Sequence, residues 1–231
     1  MTKWLASVQS IEEAKTLSAC LPDILDLKNP SQGALGALNL AEVETIVSWL
    51  GGRCMSSATV GDLPMNAEIL VPAITAMAAT GVDYVKVGLF ADANMTVCLS
   101  GLQPLLTRLQ TPVIAVVFAD QTTAVDIAAI KQSGFAGVMV DTATKDGQRL
   151  FDHWSEQQLS DFVTQAHGLN MLCGLAGALT IEDIALLKPF NADYLGFRSA
   201  LCDNRQRTKT LQSGLAAKIA QKMQSEISLA S

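Results

Sequence analysis

Eight short apolar runs alternate with amphipathic stretches along most of the chain. The runs are KWLASV, ILDLKN, RCMSSATV, DYVKVGLF, PVIAVVFA, GVMVDTA, MLCGLAG and ADYLGFRS. Apolar strands that alternate with helices in this way predict a parallel sheet covered by helices. Eight such units fit a closed (β/α)8 TIM barrel, and a doubly wound parallel sheet is the main alternative.

The amphipathic stretches carry the start and stop signals of helices. They include SIEEAKTLSAC, LAEVETIVSWL, TAVDIAAIKQSG and SEQQLSDFVTQAHG. Ser10 and Ser155 are expected to cap helix starts, and glycines follow the expected helix ends. A last helix from about Arg207 to Met223 is predicted to close the ring. Because no linker or low-complexity tract interrupts the pattern, residues 1–231 are predicted to form a single α/β domain.

The composition and the apolar stretches bear on the cellular location of the protein. Hydrophobic residues make up 49% of the 231 residues and charged residues only 16%. The most apolar stretch, ILVPAITAMAATGV, contains a proline and falls short of the roughly 18 residues that a membrane span needs. The first residues show no signal peptide. We therefore expect a cytoplasmic protein with a large buried core and no membrane partner.

Charge and cysteine content exclude further classes of protein. The net charge is −6 and no basic stretch is present, which argues against a nucleic-acid partner. The five cysteines are widely spaced and form no CxxC motif, so reduced thiols are expected rather than disulfides or a zinc site. His153 and His167 lie outside any ligand-like cluster. No metal and no cofactor are predicted.

Charged residues within the apolar runs give the strongest functional signal. Asp26 and Lys28 lie in ILDLKNP, Lys86 lies in YVKVGLF, and Asp141 and Lys145 lie in VMVDTATKDG. A charge in such a run is costly to bury unless it is paired. Several of them in one chain indicate a shared polar site. Clustered, partly desolvated amines are suited to forming Schiff bases.

These charged residues all belong to even-numbered runs. The side chains of alternate strands fill the same layers of a barrel interior, and active sites lie at the carboxyl ends of the strands. We therefore expect the charged groups to meet at the barrel mouth. Each has a structural alternative: a solvated strand-end lysine (Lys28), a structural ion pair (Lys86), an exposed turn lysine (Lys145) or a helix cap (Asp141).

The last two loops suggest a phosphate site. Barrels often bind phosphate with the loops after strands seven and eight, which here read LAGALT and GFRSALC. Gly177 and Ala178 offer backbone amides, Ser199 follows the eighth strand, and Arg198 carries a fork of donors that matches phosphate oxygens. A structural pairing of Arg198 with an acid is the alternative.

Polar residues also end the third apolar run, in SSATVGD. Ser57, Thr59 and Asp62 are candidates for hydrogen bonds to substrate hydroxyls. Local turn capping is an equally good explanation for them.

Six segments together resemble the (5-formylfuran-3-yl)methyl phosphate synthase family. They are DLKNPSQGALGA, SATVGDLP, DYVKVGL, DTATKDGQRLFD, LAGAL and GFRSALC. The resemblance implies a TIM barrel that condenses two molecules of glyceraldehyde 3-phosphate to a furan aldehyde phosphate, releasing phosphate and water. This step belongs to the biosynthesis of methanofuran and related cofactors. Triose phosphates are thus the implied partners, and self-association into a homo-oligomer is left open.

The resemblance also implies roles for individual residues. The family's Schiff-base lysine falls on Lys28 and its proton-transferring lysine on Lys86. Its other active-site charges match Asp26, Asp141 and Lys145. An acidic residue after the fifth strand corresponds to a position near Asp120. The segment after LCDN departs from the family because it is short and lacks a glycine-rich run.

Two other functions remain open at this point. A different Schiff-base triose- or pentose-phosphate aldolase or isomerase could use the same fold, because fold alone does not define function. A barrel that binds a sugar phosphate without catalysis is the alternative from another class. Such a barrel needs no buried amine on its second strand, so the lysines favour an enzyme.

Overall fold

Eight parallel strands close into a barrel in which each strand pairs with the next along the chain and β8 pairs with β1. The computed structural model describes residues 1–122, 125–144 and 146–225. The (β/α)8 barrel predicted from the apolar runs is confirmed, and the doubly wound sheet is excluded because that sheet has two open edges.

The strands are short and almost fully buried. They are β1 (Lys3–Val8), β2 (Ile24–Leu27), β3 (Met55–Thr59), β4 (Tyr84–Gly88), β5 (Val113–Phe118), β6 (Gly137–Asp141), β7 (Leu172–Leu175) and β8 (Tyr194–Phe197). The helices between and after them are α1 (Ile11–Thr16), α2 (Leu40–Leu50), α3 (Ala67–Ala79), α4 (Met95–Leu106), α5 (Ile127–Gln132), α6 (Leu150–His153), α7 (Glu156–Gly168), α8 (Asp183–Leu187) and α9 (Ser213–Gln224). Three short 3-10 turns, Lys188–Phe190, Ser199–Leu201 and Asp203–Arg205, flank β8.

Two helix starts follow the sequence prediction closely. The Ser10 side chain accepts a hydrogen bond from the backbone N–H of Glu13, and Ser155 accepts one from Gln158. Each cap satisfies a backbone donor that the first helical turn leaves without a partner.

The last helix begins later than its sequence pattern predicts. The expected start near Arg207 is wrong, because α9 begins at Ser213. The backbone carbonyls of Arg207 and Lys209 accept hydrogen bonds from the side chain of Arg198, and Leu211 forms an isolated bridge with Cys202. Residues 206–212 are therefore held as a loop over the end of β8.

Two apolar layers surround the sheet. One cluster fills the barrel interior and includes Leu5, Ile24, Ile114, Met139 and Tyr194. A much larger cluster packs the helices against the outer face of the strands. Strand residues alternate between these two environments because successive side chains point to opposite faces. The inward positions above the interior cluster are those that carry the charged residues.

Three aspartates fix strand positions at the amino-terminal end of the barrel. Asp23, Asp83 and Asp193 stand directly before β2, β4 and β8. Each accepts a hydrogen bond from a backbone N–H on the preceding strand, at 2.7 to 2.8 Å. Ala136 occupies the corresponding position before β6. The carboxylates thus pair strand-start amides that the sheet itself does not satisfy.

Within the described part of the chain, no helix combines the length and apolar character needed to cross a membrane. The most apolar stretch of the sequence forms most of α3, which packs against the barrel with Leu70, Ile74 and Met77 buried.

Candidate active site

A cavity of about 350 Å³ opens at the carboxyl ends of the strands. Its volume lies in the range of small-molecule sites. Besides Arg198, four of the five charged residues predicted within the apolar runs line it: Asp26, Lys28, Lys86 and Asp141. They come from β2, β4 and β6 and from the residue just after β2, as their even-strand positions predict. Lys145 lies outside the described residues.

Asp26 and Lys86 form a buried ion pair at the base of this cavity. The Lys86 Nζ donates to Asp26 Oδ1 at 2.8 Å, and the side chains are 2% and 0% exposed. Ser7 and Ser57 donate their hydroxyls to the two oxygens of the same carboxylate, at 2.8 and 2.7 Å. The three donors fix the carboxylate, which in turn fixes the position of the Lys86 amine.

This set of partners keeps Asp26 ionised. Burial by itself would raise the pKa of the Asp26 carboxyl, but the ammonium groups of Lys86 and Lys28 and the hydrogen bonds more than offset burial. The pKa therefore lies below its usual value. The clustering of lysines in the sequence suggests that Lys86 faces mainly another amine. In the structure a carboxylate is in direct contact with it instead.

Lys28 and Asp141 form a second, looser pair nearer the mouth. The Lys28 Nζ lies 3.7 Å from Asp141 Oδ2, and their side chains are 10% and 5% exposed. The other oxygen, Asp141 Oδ1, accepts a hydrogen bond from the backbone N–H of Thr142 at 2.8 Å. Because the Lys28 side chain reaches the cavity above the Asp26–Lys86 pair, its amine is the one better exposed to a ligand.

Arg198 does not offer its guanidinium to a phosphate, which corrects the prediction from the GFRSALC loop. Its Nη1 and Nη2 form a two-pronged ion pair with Glu13, at 2.5 and 3.1 Å. The remaining N–H groups donate to the backbone carbonyls of Ser7, Arg207 and Lys209. All five donors are thus used within the protein, as the structural alternative proposed.

The polar residues Ser57 and Thr59 on β3 and Asp62 after it also serve the scaffold, which corrects their assignment to substrate hydroxyls. The Ser57 hydroxyl donates to Asp26, and the Thr59 hydroxyl donates to the backbone oxygen of Gly36 at 3.1 Å. Asp62 accepts hydrogen bonds from the backbone N–H groups of Ala34 and Leu35, in the loop that follows Lys28. Thr59 is fully buried and does not line the cavity.

Asp120, after β5, holds a loop in the same way as Asp62 does. Its carboxylate oxygens accept hydrogen bonds from the backbone N–H groups of Ala143 and Thr144, both at 2.7 Å. Burial by itself would raise the pKa of this carboxyl, but the hydrogen bonds from Ala143 and Thr144 together outweigh burial, so the pKa lies below its usual value. Asp120 does not line the cavity. Its predicted place in the substrate site is therefore corrected to anchoring of the loop after Asp141.

The loops after β7 and β8 meet at one side of the cavity, where Gly177, Ala178 and Ser199 line it. Gly177 and Ala178 have positive φ angles of 111° and 49°. No hydrogen bond joins the backbone N–H groups of these three residues to a described acceptor. The Ser199 hydroxyl is buried and also lacks a partner among the described residues. Unsatisfied buried donors are rare, so this corner has the character of an anion site.

Three further residues matter to the site, although their sequence patterns did not single them out. Ser7 is a polar residue at an inward position of β1, and a polar residue at such a position of an apolar strand indicates a place in the site. Glu13 is 4% exposed, although it stands in the ordinary helical pattern IEEAK. Arg207 lines the cavity from a segment whose sequence predicts a helix. Nothing in the local pattern around Arg207 distinguishes it from a residue of that predicted helix.

The fold and the cavity place the chain in the class of (β/α)8-barrel proteins with a charged small-molecule site. Solved barrels of this kind superpose over nearly the whole chain. Phosphoribosyl anthranilate isomerase from Thermococcus kodakaraensis matches with a TM-score of 0.66 and 12% identity, covering 97% of this chain and 100% of that one. At this level of identity the likeness shows the fold alone.

Sequence comparison is more specific. The family model described as 4-HFC-P synthase matches residues 4–220. The (5-formylfuran-3-yl)methyl phosphate synthase of Methanococcus aeolicus is 33% identical over 227 residues, covering 93% of this chain and 97% of that protein. The protein of the same name from Methanocaldococcus jannaschii is 34% identical over 214 residues, covering 88% and 91%. The chain belongs to the 4-HFC-P synthase family.

Proposed function

We propose that this protein forms (5-formylfuran-3-yl)methyl phosphate from two molecules of glyceraldehyde 3-phosphate, through a Schiff base on Lys28, as a step in methanofuran-type cofactor biosynthesis. In this proposal it is a carbon–oxygen lyase that works like a class I aldolase and needs no metal. The observation that carries the proposal is the presence of two lysines in one cavity, each beside its own aspartate.

The two lysines differ in a way that suits two roles. Lys86 is held by a short hydrogen bond to Asp26 and is almost inaccessible. Lys28 is more exposed and lies at a longer distance from Asp141. A nucleophilic amine has to reach the carbonyl carbon of the substrate, so Lys28 is the better candidate for the covalent bond. Lys86 and the carboxylates would then carry protons.

The chemistry balances without a further reactant. One triose phosphate, as its ketone isomer, forms an imine with the Lys28 amine and releases water. Loss of a carbon-bound proton gives an enamine, which forms a carbon–carbon bond with the aldehyde of the second triose phosphate. Dehydration, ring closure and loss of one phosphate then give the furan, and hydrolysis of the imine frees Lys28. The net products are the furan phosphate, one phosphate ion and two water molecules.

The corner formed by Gly177, Ala178 and Ser199 is proposed to hold a substrate phosphate. Backbone N–H groups and a hydroxyl that have no acceptor among the described residues are suitable donors for phosphate oxygens. Any side chain at Gly177 would meet Thr142 and Leu150, at 3.1 and 3.3 Å from the new Cβ. A glycine there lets the backbone adopt its positive φ and approach the phosphate.

Trapping with borohydride tests the covalent step. The purified protein is incubated with glyceraldehyde 3-phosphate, furan absorbance is followed, and a parallel sample is reduced and analysed by mass spectrometry. We expect furan formation and a reduced adduct on Lys28. The Lys28→Arg variant keeps the charge beside Asp141 and should give neither. Lys131→Arg, which changes a partly exposed lysine on α5, is the matched control and should behave as the wild type.

The same experiment separates the alternative functions. A trapped adduct without furan would indicate a different Schiff-base aldolase or isomerase. Binding of triose phosphate with neither adduct nor furan would indicate a non-catalytic barrel. An adduct on Lys86 in the wild-type protein would overturn the assignment of Lys28.

A further inference from the structure

Arg207 reaches over the cavity from the loop after β8. Its Nη2 donates to the backbone oxygens of Pro30 and Gly33, the latter at 2.6 Å. Both acceptors belong to the loop that directly follows Lys28. The guanidinium is partly buried and lines the cavity. Arg207 is thus fixed at the mouth, next to the segment that carries the proposed Schiff-base lysine.

The rest of this guanidinium has no protein partner in the described structure. Its Nε and Nη1 donate to no described acceptor, and no described carboxylate lies within 4.0 Å of it. Arg198 on the same loop differs, because Glu13 neutralises its charge. Burial lowers the pKa of the Arg207 guanidinium, and Asp141 partly offsets this shift. An arginine stays charged in proteins, so a partly desolvated and unpaired one favours an anionic ligand.

This cation is distinct from the phosphate corner described above. Gly177, Ala178 and Ser199 lie after β7 and β8, and Arg205 reaches their side of the mouth by donating to the backbone oxygen of Ala178. Arg207 contacts the loop after β2 instead. The proposed reaction brings two phosphate groups into one cavity, and one corner cannot hold both.

We propose that Arg207 is the cation of a second phosphate subsite, which binds the phosphate of the other triose phosphate. This proposal rests on the proposed function and adds to it a residue that selects phosphorylated over unphosphorylated substrate. Arg207 acts through Nε and Nη1, while Nη2 keeps the loops after β8 and β2 together.

The test compares the wild type with Arg207→Gln, and Arg53→Gln serves as control because Arg53 stacks on Trp49 on α2. Furan formation is measured with glyceraldehyde 3-phosphate alone and with a mixture of dihydroxyacetone phosphate and unphosphorylated glyceraldehyde. Condensation in the mixture is followed by mass spectrometry. We expect Arg207→Gln to lose roughly 10- to 100-fold of the preference for the phosphorylated aldehyde, the range of charge-assisted hydrogen bonds. Trapping of dihydroxyacetone phosphate on Lys28 should persist.

Two results would overturn the subsite. If Arg207→Gln keeps the wild-type preference, the residue does not recognise phosphate. If the variant loses trapping on Lys28 and keeps its preference in the residual activity, Arg207 only fastens the loops together. Denaturation curves of all variants check that they fold.

A readout without turnover keeps this test separate from that of the proposed function. Phenylglyoxal modifies arginine side chains, and mass spectrometry locates the modified residues. Inorganic phosphate should protect Arg207 in the wild type but leave modification of the exposed Arg53 unchanged. Equal modification of Arg207 with and without phosphate would refute the subsite even in an active enzyme. Protection without any furan formation would retain the anion site and reject the proposed reaction.

Discussion

The carboxylate of Asp26 holds the ammonium of Lys86 at 2.8 Å at the buried base of the cavity. The two residues are 60 positions apart in the chain and lie on strands separated by β3. Ser57, on that intervening strand, completes the contact by donating to the same carboxylate oxygen. The site is therefore built on rigid strands, which supports accurate positioning of the reacting groups.

Asp26→Asn should strongly destabilise the fold. The substitution removes the negative charge and leaves the Lys86 ammonium buried without compensation, which typically costs about 3–5 kcal/mol of unfolding free energy. Urea denaturation followed by circular dichroism measures the loss. The double variant Asp26→Asn, Lys86→Met should recover part of the stability, because it removes the stranded charge. A single variant as stable as the wild type would contradict this account of the pair.

The contribution of Asp26 should also depend on pH in one direction. Its pKa in the folded protein is lowered from 3.8, so the unfolded chain takes up the proton first as the pH falls. The stability that Asp26 contributes is complete at neutral pH and is lost below about pH 4. The difference in unfolding free energy between the wild type and Asp26→Asn should thus be constant from about pH 7 to 5 and shrink below about pH 4. A difference that grows on acidification would be inconsistent with this sign.

Lys86→Arg should separate binding from proton transfer. Arginine keeps the charge next to Asp26, but it does not give up its proton in a protein. We expect the folded variant to form the borohydride-trapped adduct on Lys28 and to lose most furan formation. General acid–base catalysis contributes about 10²- to 10⁴-fold in rate, and the loss of turnover should fall in that range. Near-normal turnover would make Lys86 a structural charge.

Glu13→Gln should reveal the structural role of Arg198. The substitution removes the carboxylate that pairs with the guanidinium and leaves Arg198 buried and charged, with Glu13 4% and Arg198 8% exposed. We expect a loss of about 3–5 kcal/mol in denaturation experiments. The neighbouring Glu12→Gln is the matched control, since Glu12 is exposed on the same helix. An unchanged midpoint in Glu13→Gln would argue against this role.

Ser199→Ala should weaken substrate binding without harming the fold. The Ser199 hydroxyl is buried and has no partner among the described residues, so its removal relieves an unsatisfied group rather than breaking a bond. The unfolding free energy should stay equal or rise, while the apparent KM for triose phosphate increases roughly tenfold, as expected for a lost hydrogen bond to a charged group. A less stable variant with an unchanged KM would place the hydroxyl in the scaffold.

The sequence by itself determined the barrel and the charges inside it. Apolar runs of strand length recur eight times, and inward positions follow from the alternation of side chains along a strand. Asp26, Lys28, Lys86 and Asp141 can therefore be assigned to one cavity from the sequence alone, because alternate strands share layers. The family motifs around Lys28 and Lys86 lead to the same residues.

Only the tertiary structure decided which partner each charge takes. Arg198 pairs with Glu13, 185 residues away, and Asp120 anchors a loop 23 residues further on. Such pairings depend on distances across the barrel mouth, which no local pattern encodes. The position of Arg207 also depends on tertiary contacts. Its segment contains helix-forming residues, but the Arg198 side chain donates hydrogen bonds to the backbone carbonyls of Arg207 and Lys209 and holds the segment as a loop. Hydrogen bonds from the Arg198 side chain outweighed local helix propensity there.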